Sequence, residues 1–349
     1  MPTVDAEETL KPPFPYFGGK ARAVGIVWPR FGEVRNYVEP FCGSLAMLLG
    51  RPGEVVGTET VNDADGLIAN FWRATQHDPE AVAEYADNPV NENDLHARHA
   101  WLVGQKDSLQ SRLEGDPEFF DAKVAGWWVW GAACWIGSGF CSGRGPWQVV
   151  DRQLVHLGNA GQGVNRKRVH LGNAGQGVNR QLVHLGDAGQ GVNRKRDELL
   201  AYFVLLRDRI RDVRVCCGDW SRVCGDTPLF PVAKNGPTAV FLDPPYADTA
   251  DRNGDLYRKD CLSVAHDVRR WAIERGDDPR LRIALCRYEG EHEMPASWEC
   301  VDGKAGGGGN GYGGQSKAGY TNARRERIWF SPHCVKPMKS AQAPLFDWT

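Results

Sequence analysis

Residues 238 to 248 read "TAVFLDPPYAD", an apolar run that stops on an acid and two prolines. Proline confines the residue before it to extended geometry and offers no backbone donor, so Asp243 and Pro244 are both held extended and any sheet ladder must end there. What is left at the end of the strand is a row of acceptors, the Asp243 carboxylate and free carbonyls, with the ring of Tyr246 beside them. On their own these letters would serve an ordinary strand-terminating turn. What precedes them in the chain decides between a turn and a site.

From about residue 14 to 75 the text alternates strand-like and helix-like pieces: "RNYVEPF", then "GSLAMLLG" closed by its glycine, then "EVVGTETV". That alternation is the punctuation of βαβ units. "DADGLIANFWRATQ" follows, with Leu67, Ile68, Phe71 and Trp72 at helical spacing behind acids suited to a first turn. Asp63 therefore falls between a strand end and a helix start. The same grammar returns late in the chain as "TAVFLDPPY", the helical "SVAHDVRRWAIERG" (Val264, Val268, Trp271), the strand "RIALCRY" and a last strand "RERIWFS". An α/β domain split by a long insertion is the expectation.

With 349 residues, 42% of them hydrophobic, and a formal net charge of -2, the chain can bury one large core or two modest ones, which excludes a disordered or collagen-like polymer. The opening "MPTVDAEETLKPPFPYFGGK" has no apolar stretch after a basic start, and no apolar run approaches the roughly 20 residues of a membrane helix. A cytoplasmic protein with no membrane partner is expected. The ten cysteines are scattered, form no C-x-x-C pair and complete no zinc set with histidines, so buried reduced thiols are expected and no metal.

Within the insertion, "RDELLAYFVLLRDRIRD" carries Leu199, Phe203, Leu206 and Ile210 on one helical face. "GWWVWGAACWIGSGFCSGRGPW" gathers Trp127, Trp128, Trp130, Trp135 and Trp147 among glycines; its helical part reads as core, and its tail as a loop exposing Arg144. Near-identical units of period 14 begin at Arg152, Arg166 and Arg180, each containing "VHLGNAGQGVN" or its Asp187 variant, and each reads as one hairpin or one rung. Arg166, Lys167 and Arg168 belong to a basic stretch from Arg152 to Arg196 in which Asp187 is the sole acid. Such a stretch is either a tolerated duplication on the surface or an element that tracks phosphates. A second basic, aromatic, glycine-rich segment, residues 304 to 327, carries Lys317, Arg324 and Arg325 and suits ordering on a nucleic acid.

The chemistry-bearing pieces fall in a fixed order. "PFPYFGGK" joins Tyr16, Phe17 and Gly18 to Lys20 in a tight turn ending in a cation. "VEPFCGS" runs a strand into a glycine turn at a helix start, where nucleotide-like ligands sit at the carboxyl edge of a parallel sheet; it lacks the full G-x-G-x-x-G, so an adenosyl group without phosphates fits better than a dinucleotide. "VND" sets Asp63 at the next strand end, where an acid can accept from ribose hydroxyls. Asp243 and the carbonyls beside it hold the hydrogens of an exocyclic amino group and leave its lone pair facing an electrophile, while a tyrosine ring stacks on the base.

"PYFGGK", "VEPFCGS", "VNDADGLI" and "FLDPPY", in that order and with a long insertion before the last, resemble the amino-methyltransferases of the Dam type. The resemblance implies an α/β fold with a class I, Rossmann-like methyltransferase sheet and an inserted, mainly helical DNA-recognition region containing the 14-residue glycine-rich repeat. It implies core parts over residues 1–75 and 231–335, the inserted region over 76–230 with repeats at 152–193, and a tail from 336 to 349. It further implies S-adenosylmethionine as cofactor, met by Tyr16, Phe17, Gly18, Lys20, Asp63 and Asp243, with Glu39, Phe41 and Gly43 shaping the methionine end. Asp243, Pro244, Pro245 and Tyr246 would form the amino-group clamp. The implied reaction is methylation of adenine N6 in double-stranded DNA after base flipping, with no covalent nucleophile; cytosine N4 is the close chemical rival, and an RNA or protein amino-methyltransferase or a non-catalytic DNA-binding protein stand further off. Arg144, Arg166, Lys167, Arg168, Lys317, Arg324 and Arg325 are the expected DNA contacts. A cognate restriction endonuclease is a possible companion, no obligate protein partner is expected, and the expected setting is a bacterial or phage-infected cell.

Overall fold

The run Thr238–Leu242 is a strand with every residue buried, and it stops at Asp243, where the prolines begin. The structure, a computed structural model, describes residues 10–14, 16, 20–55, 57–135, 140–141, 147–150, 153–156, 196–231, 236–245, 264–290, 293–303 and 326–337. Its first part runs α1 (Val24–Phe31), β1 (Asn36–Glu39), α2 (Ala46–Leu49), β2 (Thr58–Asp63) and α3 (Gly66–His77). Then come α4 (Pro79–Ala86), α5 (Glu92–Gly115), α6 (Ala122–Cys134), the hairpin strands β3 (Trp147–Val150) and β4 (Gln153–His156), and α7 (Arg196–Ile210). The chain closes with β5 (Arg214–Cys217), α8 (Asp226–Leu229), β6 (Thr238–Leu242), α9 (Val264–Arg275), β7 (Leu281–Tyr288), β8 (Glu299–Asp302) and β9 (Glu326–Phe330).

The fold is α/β, built on one seven-stranded mixed sheet in the order β5-β2-β1-β6-β7-β9-β8. The strands from β5 to β7 are parallel, whereas β9 runs antiparallel to both β7 and β8. Strands buried on both faces read as continuous apolar runs, which is why "TAVFL" and "RIALC" show no polar alternation. Successive residues still face opposite layers. Tyr37, Ala239, Phe241 and Cys286 join the core shared with α1, α3, α6 and α7, while Val38, Val240, Leu242 and Leu285 join the one shared with α9 and Trp298.

Local chemistry explains the helix starts. Asp65, Asp78, Asn91 and Asp121 stand at the N-caps of α3, α4, α5 and α6, each accepting from a backbone N–H of the first turn. Leu67, Ile68, Phe71 and Trp72 are buried as their spacing predicts, and so are Leu199, Phe203, Leu206 and Ile210 of α7. Trp128 and Trp130 are core, with Trp127 and Trp135 half-buried beside them. Gly126 lets α6 lie close on α4, since a Cβ there would sit 2.7 Å from the Val82 carbonyl oxygen. Cys42, Cys134, Cys141, Cys224, Cys286 and Cys334 are buried, as expected of them.

Several boundaries differ from expectation. The inserted region does not extend to residue 230, because β5 pairs in parallel with β2 and belongs to the central sheet. Its four residues, "RVCC", are too few and too polar at the start to announce themselves behind the strong helix pattern of α7. Nor do the inserted helices form a body apart: Glu59 of β2 binds Arg51 and, on α7, Arg209, with Nη1 to Oε2 at 2.7 Å. The second strand begins at Thr58 rather than Glu54 and carries through to Asp63. In the first repeat unit "QLVH" pairs with the preceding "WQVV", and the rest of that unit and the later units lie outside the described residues. Helix α1, with Pro29 inside it, and strand β8 had no clear sequence signal.

Candidate active site

The order of strands reverses at β1: the chain moves outward from it through β2 and β5, then returns to lay β6 on its other side. Loops diverge at such a switch point and leave a crevice beyond the carboxyl ends of the strands, the preferred ligand site of parallel α/β sheets. Glu39 ends β1, Asp63 ends β2, and Asp243 follows β6, so the sequence-selected acids meet at this one edge.

Lys20 reaches the crevice from the loop before α1, and its Nζ lies 3.0 Å from Asp243 Oδ2 and 2.7 Å from Glu326 Oε1. The lysine is 7% exposed, and its two carboxylate partners are 19% and 21% exposed. Asp243, Pro244 and Pro245 continue beyond the last ladder residue, with Pro244 buried. Neither proline can donate, so beyond the Asp243 N–H the backbone here offers acceptors.

Glu39 stands behind the cluster, 3% exposed, where its Oε2 accepts the Tyr37 hydroxyl at 2.8 Å. Burial pushes its carboxyl up to about 8, and the negative charges of Asp243 and Glu59 add to the effect, while the Tyr37 hydroxyl and the Leu48 backbone pull the other way. Burial likewise holds the Cys286 thiol, in the core beneath, well above its usual value, with Asp243 adding to the effect and Lys20 opposing it.

The turn after β1 is pinned from several directions. Gly43 N–H donates to Asp63 Oδ2 at 3.0 Å, Cys42 N–H to the Asn62 carbonyl at 2.9 Å, and Trp72 Nε1 to the Gly43 carbonyl at 2.9 Å. Gly43 (φ +44) and Leu45 (φ +56) both adopt left-handed backbone, and the ring of Tyr16 lies against Gly43 so closely that a Cβ there would sit 2.5 Å from Tyr16 Cε1. Asp63 also accepts from Asp65 N–H at 2.9 Å, so both of its oxygens shape backbone. Phe41 is half-buried and stacks on Trp220, ring centroids 6.3 Å apart.

Of the residues selected from sequence, Tyr16, Lys20, Glu39, Phe41, Gly43, Asp63, Asp243, Pro244 and Pro245 gather at this edge. Phe17, Gly18, Tyr246, Arg144, Arg166, Lys167, Arg168, Lys317, Arg324 and Arg325 lie outside the described residues. Sequence reasoning missed three members. Asn62 donates from Nδ2 to the Pro40 and Gly218 carbonyls, both at 3.0 Å, tying the ends of β1 and β5 across β2. Asp219, exposed, caps the turn after β5 beside that tie; "CGDW" repeats the strand-end acid pattern of "VND" and could have been found from it. Glu326 opens the last strand, and its only sequence signal is an acid set among arginines in "ARRERIWF".

No family model matches the chain, and no curated protein matches it. Among the described residues, no helix is long and apolar enough to cross a membrane.

Proposed function

We propose that this chain is an S-adenosylmethionine-dependent DNA methyltransferase with a class I methyltransferase sheet, acting on the N6 amino group of adenine in double-stranded DNA. The observation that carries the reading is the meeting of Lys20 with Asp243 at the switch point, 3.0 Å apart although 223 positions (243 − 20) separate them in the chain. A strand-terminating proline turn needs no buried lysine on its acid. The strand order, with an antiparallel β9 set between β7 and β8, supports the fold assignment.

The donor set fits the cofactor. Asp243 and Glu326 bring two carboxylates to the crevice around the Lys20 ammonium, an arrangement that suits a ligand bearing positive charge. Glu39, Phe41 and Gly43, with Tyr16 against Gly43, would shape the pocket at its methionine end, and Asp63 would stand at the ribose. When bound, S-adenosylmethionine supplies an electrophilic methyl group.

The chain's own part is to present the amino nitrogen. A carboxylate oxygen of Asp243 and the Pro244 carbonyl accept the two amino hydrogens, which turns the lone pair outward and stabilises positive charge as it develops on nitrogen. Asp243 is also placed to take the proton released. Tyr246 would stack on the flipped base.

The decisive experiment incubates the protein with duplex DNA and isotopically labelled cofactor and identifies the labelled nucleoside by mass spectrometry. N6-methyladenine is expected. Label in cytosine would move the target to N4, which the same acceptors can hold, and label in RNA or protein would replace the reading. Asp243→Ala should lower transfer by about a thousandfold, as removal of a group acting in the transition state does, with an unchanged unfolding midpoint. Retained turnover would sink the clamp.

A further inference from the structure

The segment that leads into the crevice, "LKPPFPYFGGK", carries Pro12, Pro13 and Pro15 around Phe14. A stretch so poor in backbone donors is not held by a sheet ladder, so its side chains and carbonyls must fix it from outside. The Tyr202 hydroxyl on α7 donates to the Lys11 carbonyl. Phe14, 2% exposed, seats its ring against α3 and the inserted helix α6.

The Phe14 ring centroid lies 4.7 Å from that of Trp128 on α6, and 5.4 Å and 5.9 Å from those of Phe71 and Trp72 on α3. Tyr16, two residues further along, is 6.2 Å away. The contacts with Trp128, Phe71 and Tyr16 are edge-to-face, the arrangement that ring quadrupoles prefer. Two of these neighbours are the groups that clamp Gly43: Trp72 Nε1 donates to its carbonyl at 2.9 Å, and the Tyr16 ring occupies the space where a Cβ would stand. One ring therefore stands behind both clamps, and a change in it moves both at once.

Resting on the methyl-transfer reading, we propose that Phe14 is a positioning residue for the cofactor turn: through Trp72 and Tyr16 it sets Gly43, and its seat on Trp128 makes the inserted helix α6 a support of that turn. Phe14 touches neither cofactor nor base in this scheme. It passes the positions of α3 and α6 to the wall at the methionine end of the pocket.

The test compares wild type with Phe14→Leu, which stays apolar and loses the ring, and with Tyr202→Phe, which keeps every ring and removes only the hydroxyl on the Lys11 carbonyl. Leu281→Ala, a cavity at the start of β7 and so at the opposite edge of the sheet, is the control for lost stability alone. Two readouts are taken on the full chain. The first is hydrogen exchange of the peptide Cys42–Ala46 in the ligand-free protein, by mass spectrometry. Phe14→Leu should speed it about tenfold or more, on the scale of one or two lost aromatic pairs, Tyr202→Phe about threefold, and Leu281→Ala less than about twofold. The second is calorimetric binding of S-adenosylhomocysteine, where Phe14→Leu should raise Kd about tenfold, with KM for S-adenosylmethionine rising alongside and kcat within about threefold. A role confined to core packing would lower the unfolding midpoint and leave the exchange and Kd as they are in Leu281→Ala. Unchanged exchange in Phe14→Leu, or unchanged Kd where wild type binds, overturns the positioning role. If Phe14→Leu does not fold, Tyr202→Phe decides by the same two readouts. Faster exchange together with a wild type that binds no S-adenosylhomocysteine overturns the methyltransferase reading instead, and leaves the link from Phe14 to Gly43 standing.

Discussion

Glu39 is a site acid held far from its ordinary state. Its carboxyl rises from 4.5 to about 8 on burial, with Asp243 and Glu59 adding negative potential. A carboxyl raised on folding binds more protons in the native than in the unfolded chain between those two values, so its effect on stability worsens as pH climbs through that window. Glu39→Gln removes the titration. The variant should gain on wild type as pH rises from 5 to 8, by roughly 2–4 kcal/mol in all, read from urea unfolding at both pH values. A gain that shrinks toward pH 8 would mean that the charge is well satisfied. This behaviour was hidden in "VEPF", where Glu39 reads only as an acid near a strand end. Its state depends on Tyr37, Asp243 and Glu59, which arrive from β1, β6 and β2.

At the scale of the element, the turn linking β1 to α2 carries the site. Its left-handed residues, Gly43 and Leu45, are held by Asp63, Asn62 and Trp72, so β2 and α3 dictate the shape of a loop that belongs to neither. Gly43→Ala meets both a φ of +44 and the Tyr16 ring 2.5 Å from the new Cβ. It should cost about 1–3 kcal/mol in stability and weaken cofactor binding about tenfold or more, by denaturant unfolding and isothermal calorimetry. Binding at wild-type strength would show that Tyr16 and the turn do not form the pocket wall. The helices were plainer to read. Apolar spacing located α3 and α7, and acids ahead of the first turn marked the start of α3, because a helix writes its period and its start into consecutive residues.

At the scale of the whole molecule, the main question is how the inserted stretch relates to the sheet. The helices α4, α6 and α7 pack with α3 in one continuous core that reaches the sheet through Tyr37 and Phe241, and Arg209 is tied to Glu59. The 14-residue unit Arg166–Asn179 falls between elements that are anchored on either side of it. Its deletion should leave the thermal midpoint within about 2 °C and preserve methylation of short duplexes. It should also weaken duplex binding at a given salt, and flatten the dependence of log K on log salt by about 0.9 for each phosphate that is no longer neutralised. Loss of folding would place the repeats in the core.

Sequence by itself determined where the strand before Asp243 ends, which faces of α3 and α7 are buried, and the order in which the acids appear. Each of these is local: a proline removes a donor, a period of 3.6 aligns a face, a cap satisfies the first turn. Only the tertiary structure decided that β5 is a strand of the sheet, that Asp63 spends both oxygens on backbone, and that Lys20 sits between Asp243 and Glu326. Those pairings follow from strand order and from the reversed direction of β9, which brings the start of the last strand to the edge where the parallel strands end. Neighbouring residues carry no mark of either, since the proximity is made by topology across most of the chain.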